Sequence, residues 1–95
     1  MIDIDKILET AKKKDASDVH LICGLKPMLR IRRELVQYRC DAPLTEDDMY
    51  EVYDYFVRGN VDKDRVFKET KKLDTSYEFD DTRLRVNISL VNEVP

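Results

Sequence analysis

Tryptophan is absent from this chain, histidine occurs once, cysteine and glycine twice each, and proline three times. Each scarcity removes a class of function. Cys23 and Cys40 lack the close spacing of a zinc knuckle, and His20 is the sole imidazole, so a metal centre would lack ligands. Both thiols are expected to be reduced and half-buried. Gly24 and Gly59 alone cannot build the Gly-x-x-x-x-Gly-Lys-Ser/Thr cradle, whose backbone N–H groups hold nucleotide phosphates, and ATP hydrolysis by these residues on their own is not expected. No apolar run approaches the ~20 residues of a membrane span. Met1-Ile2-Asp3 opens neither the basic nor the apolar region of a signal peptide. The expectation is a cytoplasmic chain with no direct membrane insertion, no low-complexity segment and no internal repeat.

What the chain does have is charge of both signs. Charged residues make up 39% of its 95 positions and apolar ones 42%, with a net charge of -3. That profile suits one small solvated domain. No basic field stands out, so nucleic acid is not an expected partner.

Periodicity divides the chain. Ile4, Ile7, Leu8 and Ala11 fall at helical spacing, Asp3 is placed to cap them, Ile2 to staple onto Ile7, and Lys12–Lys14 to meet the negative end of the dipole. From Asp18 to Cys23 the pattern alternates, and Gly24 to Pro27 breaks it. Met28–Arg32 and Glu34–Tyr38 are too close for anything but a hairpin, with Leu29 and Ile31 facing in and Arg30 and Arg32 facing out. Thr45 opens a second helix with acids in its first turn, and Met49, Val52, Tyr53, Phe56 and Val57 form its apolar stripe. Tyr50 and Tyr55 depart from that stripe; their exposure would mark a partner surface. Asn60 starts a third helix through Glu69 that carries Val66 and Phe67 inward. Leu73–Phe79 and Arg83–Leu90 then alternate across an Asp80-Asp81 turn. The fold class is therefore α+β, a mostly antiparallel sheet covered on one face by helices.

A two-residue turn sets Glu78 opposite Arg83, Ser76 opposite Arg85 and Asp74 opposite Asn87, on the face away from the core. Cross-strand ion pairing on a solvated face accounts for such a row. So does a functional reading, since planar guanidiniums match phosphate oxygens bidentately and stay charged. His20 has no acid, base or nucleophile placed beside it by spacing, and is expected to be hydrogen-bonded to structure rather than catalytic.

Ala16-Ser17-Asp18-Val19-His20-Leu21 is followed by Gly24, Pro27, Arg30 and Ile31, and much later by Arg83-Leu84-Arg85-Val86-Asn87. This order and spacing resembles the N-terminal domain of the PilT-like retraction ATPases of type IV pili, within the secretion ATPase superfamily. The likeness runs from the first helix to Leu90, although between Cys40 and Lys72 only the pattern agrees. It implies a PAS-like sheet over residues 1–95, with the ATPase domain outside this chain and a further strand just beyond Pro95. In the full-length protein ATP with Mg2+ would lie in a cleft between the two domains, with none tightly bound to this piece alone. Arg85 and Arg30 match the positions that approach the terminal phosphate, and Arg83 is a third candidate. Asp18, His20 and Asn87 would lie at the domain interface. The implied partners are the protein's own and the neighbouring subunit's ATPase domains in a homohexamer, and inner-membrane components of the pilus machine that hold it at that membrane from the cytoplasmic side.

Three departures accompany the likeness. Arg32-Arg33 stands where the family places Asp-Gly, which favours a turn of another shape, because a non-glycine residue at positive φ costs roughly 1–2 kcal/mol. Leu84 replaces an aromatic residue, and Ser89-Leu90-Val91-Asn92-Glu93 does not match the family's continuation. The rival readings are a free-standing PAS-like module that binds a small ligand or a protein, and the equivalent domain of a pilus assembly or type II secretion ATPase. The short lead before Ala16 favours the retraction type.

Overall fold

A computed structural model of the chain describes residues 2–38, 42–57 and 59–90. Helix α1 (Ile4–Lys13) begins where the Asp3 carboxylate accepts the Lys6 N–H at 3.1 Å and buries Ile4, Ile7, Leu8 and Ala11. Beyond it Asp15 turns the chain in the left-handed region (φ 59°), and the Ala16 N–H donates back to the Ala11 carbonyl at 2.8 Å. Strand β1 (Asp18–Ile22) follows, then the hairpin of β2 (Met28–Ile31) and β3 (Glu34–Gln37).

Helix α2 (Glu46–Phe56) starts on a capping box, with Thr45 and Asp48 each accepting the other's backbone N–H. The Asp48 carboxylate also accepts the Ile2 N–H at 3.2 Å, tying the chain start to α2. Helix α3 (Val61–Thr70) is capped by Asn60, and β4 (Lys72–Phe79) and β5 (Thr82–Ser89) complete the order. Boundaries fall within about a residue of the sequence expectation, the usual scatter of helix and strand ends.

The strands form one sheet in the order β3-β2-β1-β5-β4. All neighbours are antiparallel except β1 and β5, which pair in parallel with Val19 beside Val86 and His20 beside Asn87. One face of the sheet supplies Val19, Leu21, Leu29, Leu73, Leu84, Val86 and Ile88, which join Leu8, Met49, Val52, Phe56 and Phe67 of the helices in a single core. The expected α+β, PAS-like architecture is present, with its helices on that face. None of the described helices is long and apolar enough to cross a membrane.

Three expectations fail locally. Val66 was expected to face inward with Phe67 but is exposed, because neighbouring helical positions sit about 100° apart and only Phe67 (4% exposed) reaches the core. The Arg32-Arg33 turn does not take another shape. Both residues lie in the left-handed region, φ 50° and 72°, as a mirrored two-residue hairpin requires. The register that puts Leu29 opposite Val36 and Ile31 opposite Glu34 leaves only two residues to close the loop. Turn geometry therefore yields to strand pairing, at a cost of roughly 1–2 kcal/mol for each arginine.

Tyr55, expected to be exposed, is half-buried against Phe56 and Tyr77, with its hydroxyl donating to Asp5 at 2.6 Å. Burial and that hydrogen bond push the phenol well above its usual range. Tyr50 is exposed as expected, and Cys23 is a free, half-buried thiol. Cys40 and the Val91-Asn92-Glu93 segment lie outside the described residues.

Candidate functional site

Strand alternation sends every second residue of the same strands away from the core, and the helix-free face is built from them. The sequence-based register between β4 and β5 holds: Glu78 lies opposite Arg83, Ser76 opposite Arg85 and Asp74 opposite Asn87. The parallel pairing of β1 with β5 adds what hairpin logic alone does not supply. Asp18 falls between Arg30 on β2 and Arg85 on β5, and His20 falls between Met28 and Asn87. Arg30, Asp18, Arg85, His20 and Asn87 thus occupy two adjacent rows of one face, with Arg83 one row further along β5.

Ser17 fixes the spacing of the two arginine strands. Its N–H donates to the Arg30 carbonyl at 2.9 Å and its carbonyl accepts the Arg85 N–H at 3.1 Å. The serine of the Ala-Ser-Asp-Val-His run therefore works through its backbone, locking β2 and β5 to the entry of β1.

Arg30, Arg83 and Arg85 each have an acidic neighbour. Arg30 Nε lies 3.4 Å from Asp18 Oδ2, Arg83 donates to Glu78 at 3.1 Å, and Arg85 Nε lies 3.8 Å from Asp74 Oδ1. The solvated ion-pair reading is thus part of the structure, and such pairs contribute about 0–1 kcal/mol each. They differ in how readily they release. Asp18 is only 18% exposed, so Arg30 leans on a sheltered acid, whereas Arg85 and Asp74 are 64% and 61% exposed and stand beyond hydrogen-bonding distance. Of these three, Arg85 is the guanidinium most free to turn to another anion. Asp74 was legible as the residue opposite Asn87, but its reach along the diagonal to Arg85 was not.

His20 differs from its expectation. Its Nε2 is shut off from solvent and has no hydrogen-bond partner among the described residues. Burial holds the imidazole pKa below 6.5; Asp18 opposes that, and Arg30 adds to it. His20 thus carries a buried, unpaired ring nitrogen in the row that it shares with Met28 and Asn87.

A second surface feature lies at the end of the sheet, between α2 and α3. It is a groove of about 560 Å³ lined by Cys23, Met49, Tyr50, Tyr53, Phe67 and Leu90, with Lys68 and Lys71 at its rim. Sequence periodicity assigned Met49, Tyr53 and Phe67 to the core; each also shows one edge to this groove. Lys68 is held by Asp64, which in turn accepts the Tyr53 hydroxyl.

No protein-family model matches the chain, and no curated protein matches its sequence. Among solved structures it is similar to that of the pilus retraction motor PilT with bound ADP, at 25% identity and a TM-score of 0.64, over 100% of this chain and 31% of that one. The chain spans less than a third of the length of that motor. It has the fold of a PilT-like N-terminal domain.

Proposed function

We propose that this chain is the N-terminal, nucleotide-sensing domain of a hexameric type IV pilus retraction ATPase, and that its helix-free sheet face docks on ATPase domains that lie outside these 95 residues. The observation that carries this reading is the convergence of Arg30, Asp18, Arg85, His20 and Asn87 on one uncovered face, in a chain whose whole length is similar to part of a retraction motor.

The face suits a phosphate in transit rather than one held permanently. It offers guanidiniums but no backbone cradle, so it complements a nucleotide bound elsewhere. Arg85 exchanges its exposed, loosely held carboxylate for a phosphate oxygen, Arg30 follows while Asp18 stays behind as its anchor, and Arg83 stands by on the same strand. ATP with Mg2+, bound by the ATPase domain, supplies the terminal phosphate whose charge these side chains read. A guanidinium that arrives from another domain acts as an arginine finger does, so closure becomes coupled to nucleotide state. His20 and Asn87 lie side by side on the docked surface, and Asp18 orients the arginine beside it. The sheet and its helices then move as one rigid body against the ATPase ring, drawing on turnover to extract pilin subunits. In this reading the protein works in the cytoplasm, held at the inner membrane by the pilus machine.

The test is Arg85→Ala in the full-length protein. ATP turnover should fall roughly tenfold or more, with hexamers and circular dichroism preserved. Wild-type turnover from intact hexamers would remove the assigned role of Arg85. The groove between α2 and α3 supports the rival reading of a free-standing ligand-binding module, which tight small-molecule binding by the isolated chain would favour.

A further inference from the structure

The two edges of the sheet are complementary, and we propose that copies of this chain join edge to edge, β3 of one against β4 of the next. This inference stands apart from the retraction reading and uses neither the helix-free arginines nor a nucleotide.

Backbone phase comes first. In a two-residue hairpin the pair flanking the turn exchanges both hydrogen bonds, and every second pair does so thereafter. Ile31 with Glu34 and Leu29 with Val36 are therefore bonded inward, a phase that continues in the Tyr38 N–H donating to the Pro27 carbonyl at 2.8 Å. The N–H and carbonyl groups of Leu35 and Gln37 point outward from the β3 edge. By the same alternation, Phe79 with Thr82 and Tyr77 with Leu84 bond inward, and Glu78 and Ser76 point outward from β4.

Direction comes next. β1 and β5 are parallel, and β2 and β4 each run against them, so both two-residue turns lie at the same end of the sheet. β3 and β4 consequently run in opposite directions. A second copy placed alongside continues the sheet in antiparallel fashion with all helices on one side. With the turns level, Leu35 meets the partner's Glu78 and Gln37 meets the partner's Ser76, each pair outward-bonding on both sides. Val36 then lies across from the partner's Tyr77 on the helix-covered face.

The charges fit the same register. Arg33 faces the partner's Asp80, and Arg32 faces the partner's Asp81. Neither arginine makes an ion pair with a described residue, while Asp80 holds only an exposed lysine, Lys12, at 3.1 Å. The pairing also covers Leu35 and Val36, which are 51% and 40% exposed. It gives a reason for guanidiniums to occupy a left-handed turn that Asn-Gly would fill without strain. Because each copy offers two different edges, the contact is heterologous, and it closes into a ring or runs on as a filament.

Sedimentation equilibrium of the 95-residue chain tests this. The weight-average mass should climb above 11.3 kDa with concentration without levelling at the dimer, and should drop in high salt, which screens exposed pairs. Leu35→Pro deletes one outward N–H while sparing the β2–β3 ladder, and should leave a monomer with wild-type circular dichroism. Arg32→Asp and Asp81→Arg should each weaken association roughly three- to fivefold, and an equimolar mixture of the two should recover it. A wild-type mass fixed at 11.3 kDa up to about 1 mM, or assembly that a folded Leu35→Pro leaves intact, overturns the proposal. Should Leu35→Pro fail to fold, the mixture decides, and no recovery on mixing overturns it equally.

Discussion

Leu84 and Arg85 are adjacent in the chain and belong to different worlds. One is fully buried beneath the helices, and the other is exposed on the open face with its guanidinium 3.8 Å from the nearest acid. Val19 and Val86 are likewise fully buried, while His20 and Asn87 beside them belong to the open face and are half-buried. No charged residue is fully buried among those described, and no apolar residue of the core lies on the open face. The comparison teaches that adhesion and recognition are assigned to alternate residues of the same strands. Changing one set should leave the other in place. The open face can thus carry loosely satisfied arginines without loss of stability, because the covered face alone holds the sheet.

The largest effect should come from the covered side. Leu84→Ala removes a fully buried side chain and should cost about 2–5 kcal/mol, a large share of the roughly 5–15 kcal/mol expected for a domain. Arg85→Ala, one residue away, should shift stability by no more than about 0.5 kcal/mol, as exposed substitutions do. Urea midpoints of the two variants measure the contrast directly. Comparable losses would mean that the open face is structural, and the division between the faces would fail.

Much of this division is legible in the sequence, for a physical reason. Alternation of apolar and polar residues fixes which face each side chain takes, and the Asp80-Asp81 turn fixes the register that places Glu78 opposite Arg83. What the pattern does not carry is the choice of non-local partner. Nothing in Asp18-Val19-His20 says that it pairs in parallel with β5, yet that pairing alone sets Asp18 beside Arg85 and His20 beside Asn87. Side-chain reach is likewise hidden. Tyr55 lies off the helical stripe but finds Phe56, Tyr77 and Asp5, while Val66 lies next to a core residue and still faces water. The Arg32-Arg33 turn was misjudged because local propensity was weighed without the strand pairing that overrides it.

That turn supplies a smaller effect, of opposite sign. Arg32→Asn with Arg33→Gly relieves two left-handed arginines, worth roughly 1–2 kcal/mol each, and loses part of this to the entropy of glycine, about 0.5–1 kcal/mol. The net should be a stabilisation of about 1 kcal/mol in thermal or urea unfolding. The strain belongs to neither face of the sheet, so the helix-free patch should bind as before while edge-to-edge association weakens. An unchanged or lowered stability would mean that the arginines are stabilised by contacts the strain argument omits.

The smallest effect sharpens the comparison at the one residue that crosses it. His20 belongs to the open face by alternation, yet its Nε2 is shut off from solvent and burial holds its pKa below 6.5. Asp18 and Asp74 pull the other way without reversing the shift, and Arg30 reinforces it. The sign follows from proton counting: a folded state that binds the proton less tightly than the unfolded chain loses stability as pH falls. The loss should begin near the ordinary value of 6.5 and grow until the folded-state pKa is passed, with no contribution at higher pH. Denaturation midpoints taken between about pH 7.5 and about pH 5, above the range of ordinary carboxylates, isolate this slope. In His20→Asn it should vanish, because an amide of similar size takes up no proton. A slope that survives the substitution would place the proton uptake elsewhere. It would also return His20 to the ordinary solvated members of its face, and so remove the unpaired nitrogen that makes this patch more than a set of surface ion pairs.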